Sequence, residues 1–432
     1  MSHTSRPATP FTDTEIEALR EQFPILHRKG RSGRPIVYLD SSATSQKPQV
    51  VIDCEAQFYA HQNAAVNRGT HLLGDESTEA FDDARIALAH FVNARPDEIV
   101  WTKNATEGIN LVAYGMLNAA LGAGGEAARK FAIGPGDRIV ATRAEHHANL
   151  LPWQEICART GAEFAYLDLL PDGRIDLETL DVITPNTKLV AFTHASNVTG
   201  AISPVAEITR AAREVGALVL LDTCQSSAHM PIDVGELDID FAVFSSHKMA
   251  GPTGIGALWG RADLLADLPP FLTGGSMIAT VSMDEARYLP APQRFEAGSQ
   301  PVAQAVAWAE ALRFLQRVGM DRIAAHEHVI TRALVERISS MDGVRLLGPT
   351  IDHDRIAVVA FAVQGVHPHD VGQYLDSESV AVRVGHHCAI PLHTFFGVKS
   401  STRASAAMTT TLEEVDQFAS ALTRVRRFFG GM

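Results

Sequence analysis

The stretch "SSHKMAGPTGIG" (245–256) sets one lysine, Lys248, between an apolar run and a cluster of glycine and proline. Gly251, Pro252 and Gly254 force irregular backbone, so the lysine is flanked by apolar strand and tight turns. Partial desolvation there disfavours the ammonium form and makes the amine a Schiff-base nucleophile. A lysine on a solvated turn has the same local sequence, and its surroundings decide between the two. Asp222 closes the apolar run "GALVLLD", 26 residues earlier. A carboxylate at one strand end facing an amine at a neighbouring strand end is the pair that a pyridoxal phosphate site needs. The amine bonds the aldehyde carbon, and the carboxylate keeps the pyridinium nitrogen protonated so that the ring draws electrons. Thr106, in "TKNATEGIN", opens a helical pattern whose first amides can bind a dianion with help from the helix dipole. Taken singly, Asp222 and Thr106 also read as ordinary helix caps.

A second stretch, "AVRVGHHCAIPL" (381–392), puts His386 and His387 directly before Cys388. Consecutive side chains on an extended or turning backbone diverge, and further ligands have no evident source, so a metal site is a poor reading. A reactive thiol fits better: His386, His387 and Arg383 favour the thiolate, which is the nucleophilic form. Cys54, Cys157 and Cys224 read as buried structural thiols. The four cysteines form no C-x-x-C pair and suggest neither a disulfide framework nor a zinc ribbon.

These residues need elements to hold them. Between residues 98 and 260 short apolar runs alternate with helical patterns: "EIVWTKN", "DRIVATRAEHH", "KLVAFTHASN", "ALVLLDTCQSS" and "DFAVFSSHK". This rhythm predicts an α/β fold with a mostly parallel, doubly wound sheet, whose ligands gather at the carboxyl ends of the strands. Asn104 to Thr106, His146, Asn197, Asp222 and Lys248 each stand just past such a run. After "RFEAGSQP" (294–301) the pattern changes to helices over 302–317 and 321–340, strands near 344 and over 356–363, and a final helix from 412. That reads as a smaller α+β domain. The expected division is an N-terminal segment over 1–35 packing with the small domain, a large domain over 36–295 and a small domain over 296–432 carrying Cys388. A chain of 432 residues exceeds the roughly 250–300 at which single cores stop growing.

Hydrophobic content of 46% with 20% charged residues is that of a globular protein, and no run approaches the roughly 18 apolar residues of a membrane helix. A net charge of -13 without a basic run argues against nucleic acid or an anionic membrane as partner. A small molecule or another protein is expected instead. The polar, acidic start "MSHTSRPATPFTDTEIEALR" is unlike a signal peptide and predicts a cytoplasmic protein.

Over nearly its whole length the chain resembles the SufS-like (group II) cysteine desulfurases, fold-type I pyridoxal phosphate enzymes of the class V aminotransferase family. The resemblance is carried by "YLDSSATSQKP" (38–48), "NATEGINLVA" (104–113), "EHHANLLPWQ" (145–154), "HASNVTGAISP" (194–204), "LDTCQSSAH" (221–229), "SSHKMAGPTGIG" (245–256), "RFEAGS" (294–299) and "VRVGHHCAIPL" (382–392). It implies that Lys248 bonds the cofactor, Asp222 pairs with the pyridinium nitrogen, and His146 stacks on the ring and moves protons. Asn197 and Gln225 would sit beside the ring oxygen. Ala105, Thr106, Ser245 and His247 would hold the phosphate, with Ser299 reaching it from the second subunit of a homodimer. Arg403, with Arg383 and Asn197, would bind the substrate carboxylate through the bidentate fork of a guanidinium.

The implied reaction converts L-cysteine to L-alanine, with the sulfur taken by Cys388 as a persulfide and passed to a SufU- or SufE-like acceptor for iron–sulfur cluster assembly. L-selenocysteine is an alternative substrate. No resident metal is implied, but His369, in "VHPHD", stands where SufU-dependent relatives take over a zinc ligand from the partner. Departures from the family pattern at Asn67, Ala105, Ser246, Ser299–Gln300 and Thr409–Thr411 are expected near cofactor and substrate. They leave room for a selenocysteine lyase or C–S lyase of a specialised biosynthetic pathway, or for an aminotransferase or epimerase indifferent to Cys388. A non-catalytic binding subunit would have lost Lys248 or Asp222, and both are present.

Overall fold

A computed structural model describes residues 8–429. The first seven residues of the expected N-terminal segment lie outside the described residues. Seven strands form the central sheet: β1 (Ile99–Thr102), β2 (Arg138–Thr142), β3 (Glu163–Leu167), β4 (Thr187–Thr193), β5 (Leu218–Asp222), β6 (Phe241–Ser245) and β7 (Gly256–Gly260). Their order is β1-β7-β6-β5-β4-β2-β3, and all neighbours run parallel except β7, which is antiparallel to both β1 and β6. The fold is the mostly parallel α/β sheet that the sequence predicts.

Among the described residues, ten helices of eight or more residues accompany the sheets: α1 (Asp13–Arg20), α2 (Gln49–His61), α3 (Leu72–Phe91), α4 (Ala105–Ala120), α5 (Leu151–Thr160), α6 (Val205–Glu214), α7 (Val302–Val318), α8 (Met320–Ser339), α9 (Pro368–Ser377) and α10 (Leu412–Phe428). Side chains alternate across a strand, so consecutive apolar residues supply two cores. On β4, Leu189 and Ala191 face a core with Ile109, Met116 and Trp153 of α4 and α5, whereas Val190 and Phe192 face one with Phe81, Ile208 and Trp308 of α3, α6 and α7.

A second sheet of four antiparallel strands has the order β8-β9-β11-β10: β8 (Val344–Leu347), β9 (Val358–Val363), β10 (Arg383–Gly385) and β11 (Ser401–Ser405). Helices α8, α9 and α10 cover it through Leu334, Leu375 and Phe418. Helix α7 packs instead on α2 and α3 beside the central sheet. The segment Val37–Tyr38 pairs in parallel with Val380–Ala381, and Arg20 of α1 bonds Glu414 of α10 at 2.9 Å. Gly200 lets the two sheets meet: its φ is +75°, and a Cβ there would lie 2.4 Å from the Val358 carbonyl oxygen of β9.

Candidate active site

Strands β4, β5 and β6 end side by side, and a cavity of about 270 Å³ opens at their carboxyl ends. At one end of it, Asn104 caps α4 by accepting the Glu107 amide at 3.0 Å, and the Ala105 amide donates to Ser245 Oγ at 3.0 Å. Gly256 of β7 makes this approach feasible, because a Cβ would stand 2.5 Å from the Asn104 Cα. Ala105, Thr106, Ser245 and His247 all line this end. Burial, then the charges of Lys248 and Lys47, pull His247 down to about 4, so it is neutral. Its carbonyl oxygen accepts from Thr44, Ser45 and Lys47 side chains at 3.0–3.1 Å, which fixes the turn that carries Lys248.

In the middle of the cavity stand Lys248, Asp222 and His146. Asp222 is 5% exposed; its Oδ1 accepts the Cys224 amide at 3.0 Å, and no donor among the described residues meets Oδ2. His146 is pulled to about 4 by burial first and by the Lys248 charge second, with Asp222 acting the other way. Its Nδ1 accepts the Ala148 amide at 3.1 Å, which leaves a flat neutral ring with its proton on Nε2. Gln225 donates to the Ser42 carbonyl at 3.1 Å, and its Oε1 is buried without a partner. Asn197 donates its side-chain amide to the His387 carbonyl at 2.6 Å.

At the far end Arg403 of β11 is 2% exposed and donates to the Asn197 carbonyl at 2.9 Å and to Asp40 at 3.2 Å, while its Nε has no partner. Arg383 reaches the same Asp40 at 3.2 Å. Burial lowers Arg403 to about 10, still charged at neutral pH. Two guanidinium groups against one carboxylate leave one net positive charge for an anion. Cys388 is exposed and lines the same cavity. It and His387 have φ of 55° and 50°, a left-handed pair that costs about 1–2 kcal/mol per residue and needs external support.

His387 departs from its expected part. Its Nε2 bonds Ser401 Oγ at 3.0 Å, and burial with the Arg403 charge lowers it to about 2, so it supplies no cation to the thiol. The cations that share the cavity with Cys388 are Arg383, Arg403 and Lys248.

Two expected residues lie elsewhere in this chain. Ser299 lines a separate hollow with Lys103 and Glu107, and His369 is exposed in the first turn of α9. Of the departures, Ala105 lines the cavity, whereas Ser246 is fully buried behind it and Asn67 lies in a distant acidic depression. Thr410 and Thr411 tie α8 and α10, the first accepting from His326 and the second capping α10.

Sequence reasoning missed Asp40, Ser42, Glu145 and His147. Glu145 is 1% exposed and accepts from Thr142, Asn149 and the Thr193 amide at 2.6–3.1 Å, which locks the turn before His146; burial pushes it up to about 8. The pair "EH" at a strand end was the signal available. Asp40 and Ser42 lie in the stretch 38–48 that carries the resemblance, but nothing local assigns them a role, because their place depends on the long-range pairing of residues 37–38 with 380–381.

The donor set fits pyridoxal phosphate. Amides and hydroxyls converge at the α4 end, a free carboxylate oxygen and an amine stand in the middle, and the buried Gln225 Oε1 and Arg403 Nε await partners.

The chain matches the aminotransferase class-V family over residues 37–418. It is 49% identical over 421 residues to a probable cysteine desulfurase 2 of Mycobacterium leprae, covering 97% of this chain and 99% of the relative. It is 48% identical to a probable cysteine desulfurase of Streptomyces coelicolor, covering 96% and 98%. Among solved structures it is similar to the apo cysteine desulfurase from Thermococcus onnurineus, with a TM-score of 0.88, 34% identity and coverage of 98% and 100%.

Proposed function

Because the chain belongs to the aminotransferase class-V family, we propose that it is a pyridoxal phosphate-dependent cysteine desulfurase that converts L-cysteine to L-alanine with Cys388 as the sulfur carrier. The observation that carries this reading is that Lys248, Asp222 and Cys388, from three distant parts of the sequence, line one cavity. When bound, pyridoxal phosphate supplies an electron sink that stabilises negative charge at the substrate Cα. Ala105, Thr106, Ser245 and His247 would hold its phosphate, Asp222 would hold its ring nitrogen, and Asn197 and Gln225 would sit beside its ring oxygen. Ser299 reaches the phosphate across a homodimer interface.

Arg403 binds the substrate carboxylate, with Arg383 and Asn197 beside it. Lys248 takes the Cα proton, and neutral His146 moves protons at its Nε2. Cys388, as thiolate, attacks the substrate sulfur: an S–S bond forms, the carbon–sulfur bond breaks with its electron pair left on the alanyl fragment, and alanine leaves after protonation. Sulfur transfer and release are thereby split into two easier steps. The acceptor is a SufU- or SufE-like protein serving iron–sulfur cluster assembly in the cytoplasm. The exposure of Cys388 and of His369 supports docking of a protein there, with His369 as the zinc-ligand exchanger.

The test is alanine and sulfide release from L-cysteine by wild type and Cys388→Ala, with and without a SufU-like protein and a reductant. We expect wild type to make alanine, the acceptor to accelerate it, and the variant to lose turnover while keeping the absorbance of the bound cofactor. Equal alanine from both proteins would transfer the assignment to a lyase.

A further inference from the structure

The left-handed pair His387–Cys388 is held from outside its own loop, and most of that hold comes from one residue that sequence reasoning passed over. The His147 amide donates to the Cys388 carbonyl at 2.7 Å, and the Ile390 amide donates to His147 Nε2 at 3.1 Å. His147 thus bonds the backbone on both sides of the thiol, from the turn that also carries His146. Among the described residues, the other hydrogen bond to this pair from the central sheet is the 2.6 Å bond from Asn197 to the His387 carbonyl. On its own sheet the loop is fixed by a relay in which His393 Nδ1 donates to the Ala389 carbonyl, Ser401 Oγ donates to His393 Nε2, and His387 Nε2 donates to Ser401 Oγ.

We propose that His147 is the positioning residue for the sulfur carrier, clamping Cys388 in its strained conformation over the cavity. The clamp requires Nε2 to accept, so the imidazole must be neutral with its proton on Nδ1. Burial, and the neighbouring His386 ring at 5.6 Å, hold its pKa below the ordinary value in support of that state. Since His146 and His147 are adjacent, one short turn sets both the ring that faces Lys248 and the thiol that must meet the substrate sulfur. A shift of the turn moves both together.

This inference rests on Cys388 being the carrier, but its test reads the thiol directly. Alkylation of Cys388 by iodoacetamide in the cofactor-loaded protein, followed on the peptide containing it, reports how well the loop is held; the other three cysteines are buried or half-buried. We expect His147→Ala to accelerate alkylation several-fold and to lower kcat about tenfold with little change in KM, the size expected for one lost hydrogen bond. His147→Gln, whose Oε1 can accept from Ile390, should restore both. Ile390→Pro removes the donor without touching His147, at the first position of the short helix Ile390–Phe395, where proline is tolerated, and should reproduce His147→Ala. Combined, the two substitutions should cost no more than either alone. Wild-type alkylation and kcat in both single variants, or a raised KM with unchanged kcat, would overturn the clamp. Turnover surviving Cys388→Ala would instead remove the carrier reading while leaving the alkylation result standing.

Discussion

Three imidazoles that line the cavity, His146, His247 and His387, and the buried His194 are neutral at pH 7 for the same reason. Burial pulls His146, His194 and His247 to about 4 and His387 to about 2, against an ordinary 6.5. Between about 4 and 6.5 the unfolded chain therefore binds protons that the folded chain does not, so this contribution to stability is complete above 6.5 and is lost as pH falls. Glu145 works oppositely: raised from 4.5 to about 8, it keeps a proton that the unfolded chain releases, so its effect lowers stability as pH rises through that window. Four histidines outweigh one carboxyl, and the urea midpoint should fall as pH drops from 6.5 to 5. A level midpoint across that range would contradict the neutral histidines. Glu145→Gln should remove the opposing slope and raise the midpoint at pH 8 relative to pH 6. Arg403→Lys keeps the charge but loses the fork, and about 1.5–3 kcal/mol of charged hydrogen bonding should appear as a ten- to hundredfold fall in kcat/KM for L-cysteine.

The elements that bring these residues together differ in how plainly the sequence announces them. Strands β4, β5 and β6 are buried on both faces, so they stand out as unbroken apolar runs, and the chemistry just past them could be placed at strand ends. Strand β3 was not anticipated because it is the edge of the sheet, half-exposed with an irregular mix of side chains. Strand β11 was hidden for the opposite reason. "STRAS" is polar except for Ala404 yet wholly buried, with Ser401, Ser405 and two of the three Arg403 guanidinium nitrogens bonded to partners outside the strand. Hydropathy cannot find a strand whose burial is made acceptable by hydrogen bonds. Within the cavity, Lys248 and Asp222 were legible from spacing, whereas the Cys388 loop's dependence on His147 requires a contact 243 residues apart in sequence, well beyond any local signal. At this scale Gly256→Ala is informative. The added Cβ meets Asn104 and the Phe244 carbonyl, displacing the start of α4. Overpacking of about 1–3 kcal/mol should weaken pyridoxal phosphate binding to the apo-protein by about tenfold or more, measured by absorbance titration.

Across the molecule, the site depends on three stretches of chain meeting at Asp40, which follows the strand pair 37–38 with 380–381 and holds both Arg383 and Arg403. Further away, Glu296 joins the central sheet to the segment leading to Ser299. It receives Arg85 at 2.7 and 2.9 Å and the Trp101 amide at 2.8 Å, all buried. Removing one member leaves a buried charge, so Arg85→Ala should destabilise the fold by about 3–5 kcal/mol in urea unfolding. None of the helices among the described residues is long and apolar enough to cross a membrane. In the proposed function these parts serve one step, the transfer of sulfur from a substrate bound at Arg403 to the Cys388 thiol over the same cavity. The decisive measurement is the mass of the peptide containing Cys388 after a single mixing of cofactor-loaded protein with L-cysteine, without reductant or acceptor. We predict one added sulfur atom on Cys388 in the wild type and none in Lys248→Ala. Alanine formed with Cys388 unmodified, or sulfur found on Cys54, Cys157 or Cys224 instead, would contradict the assignment.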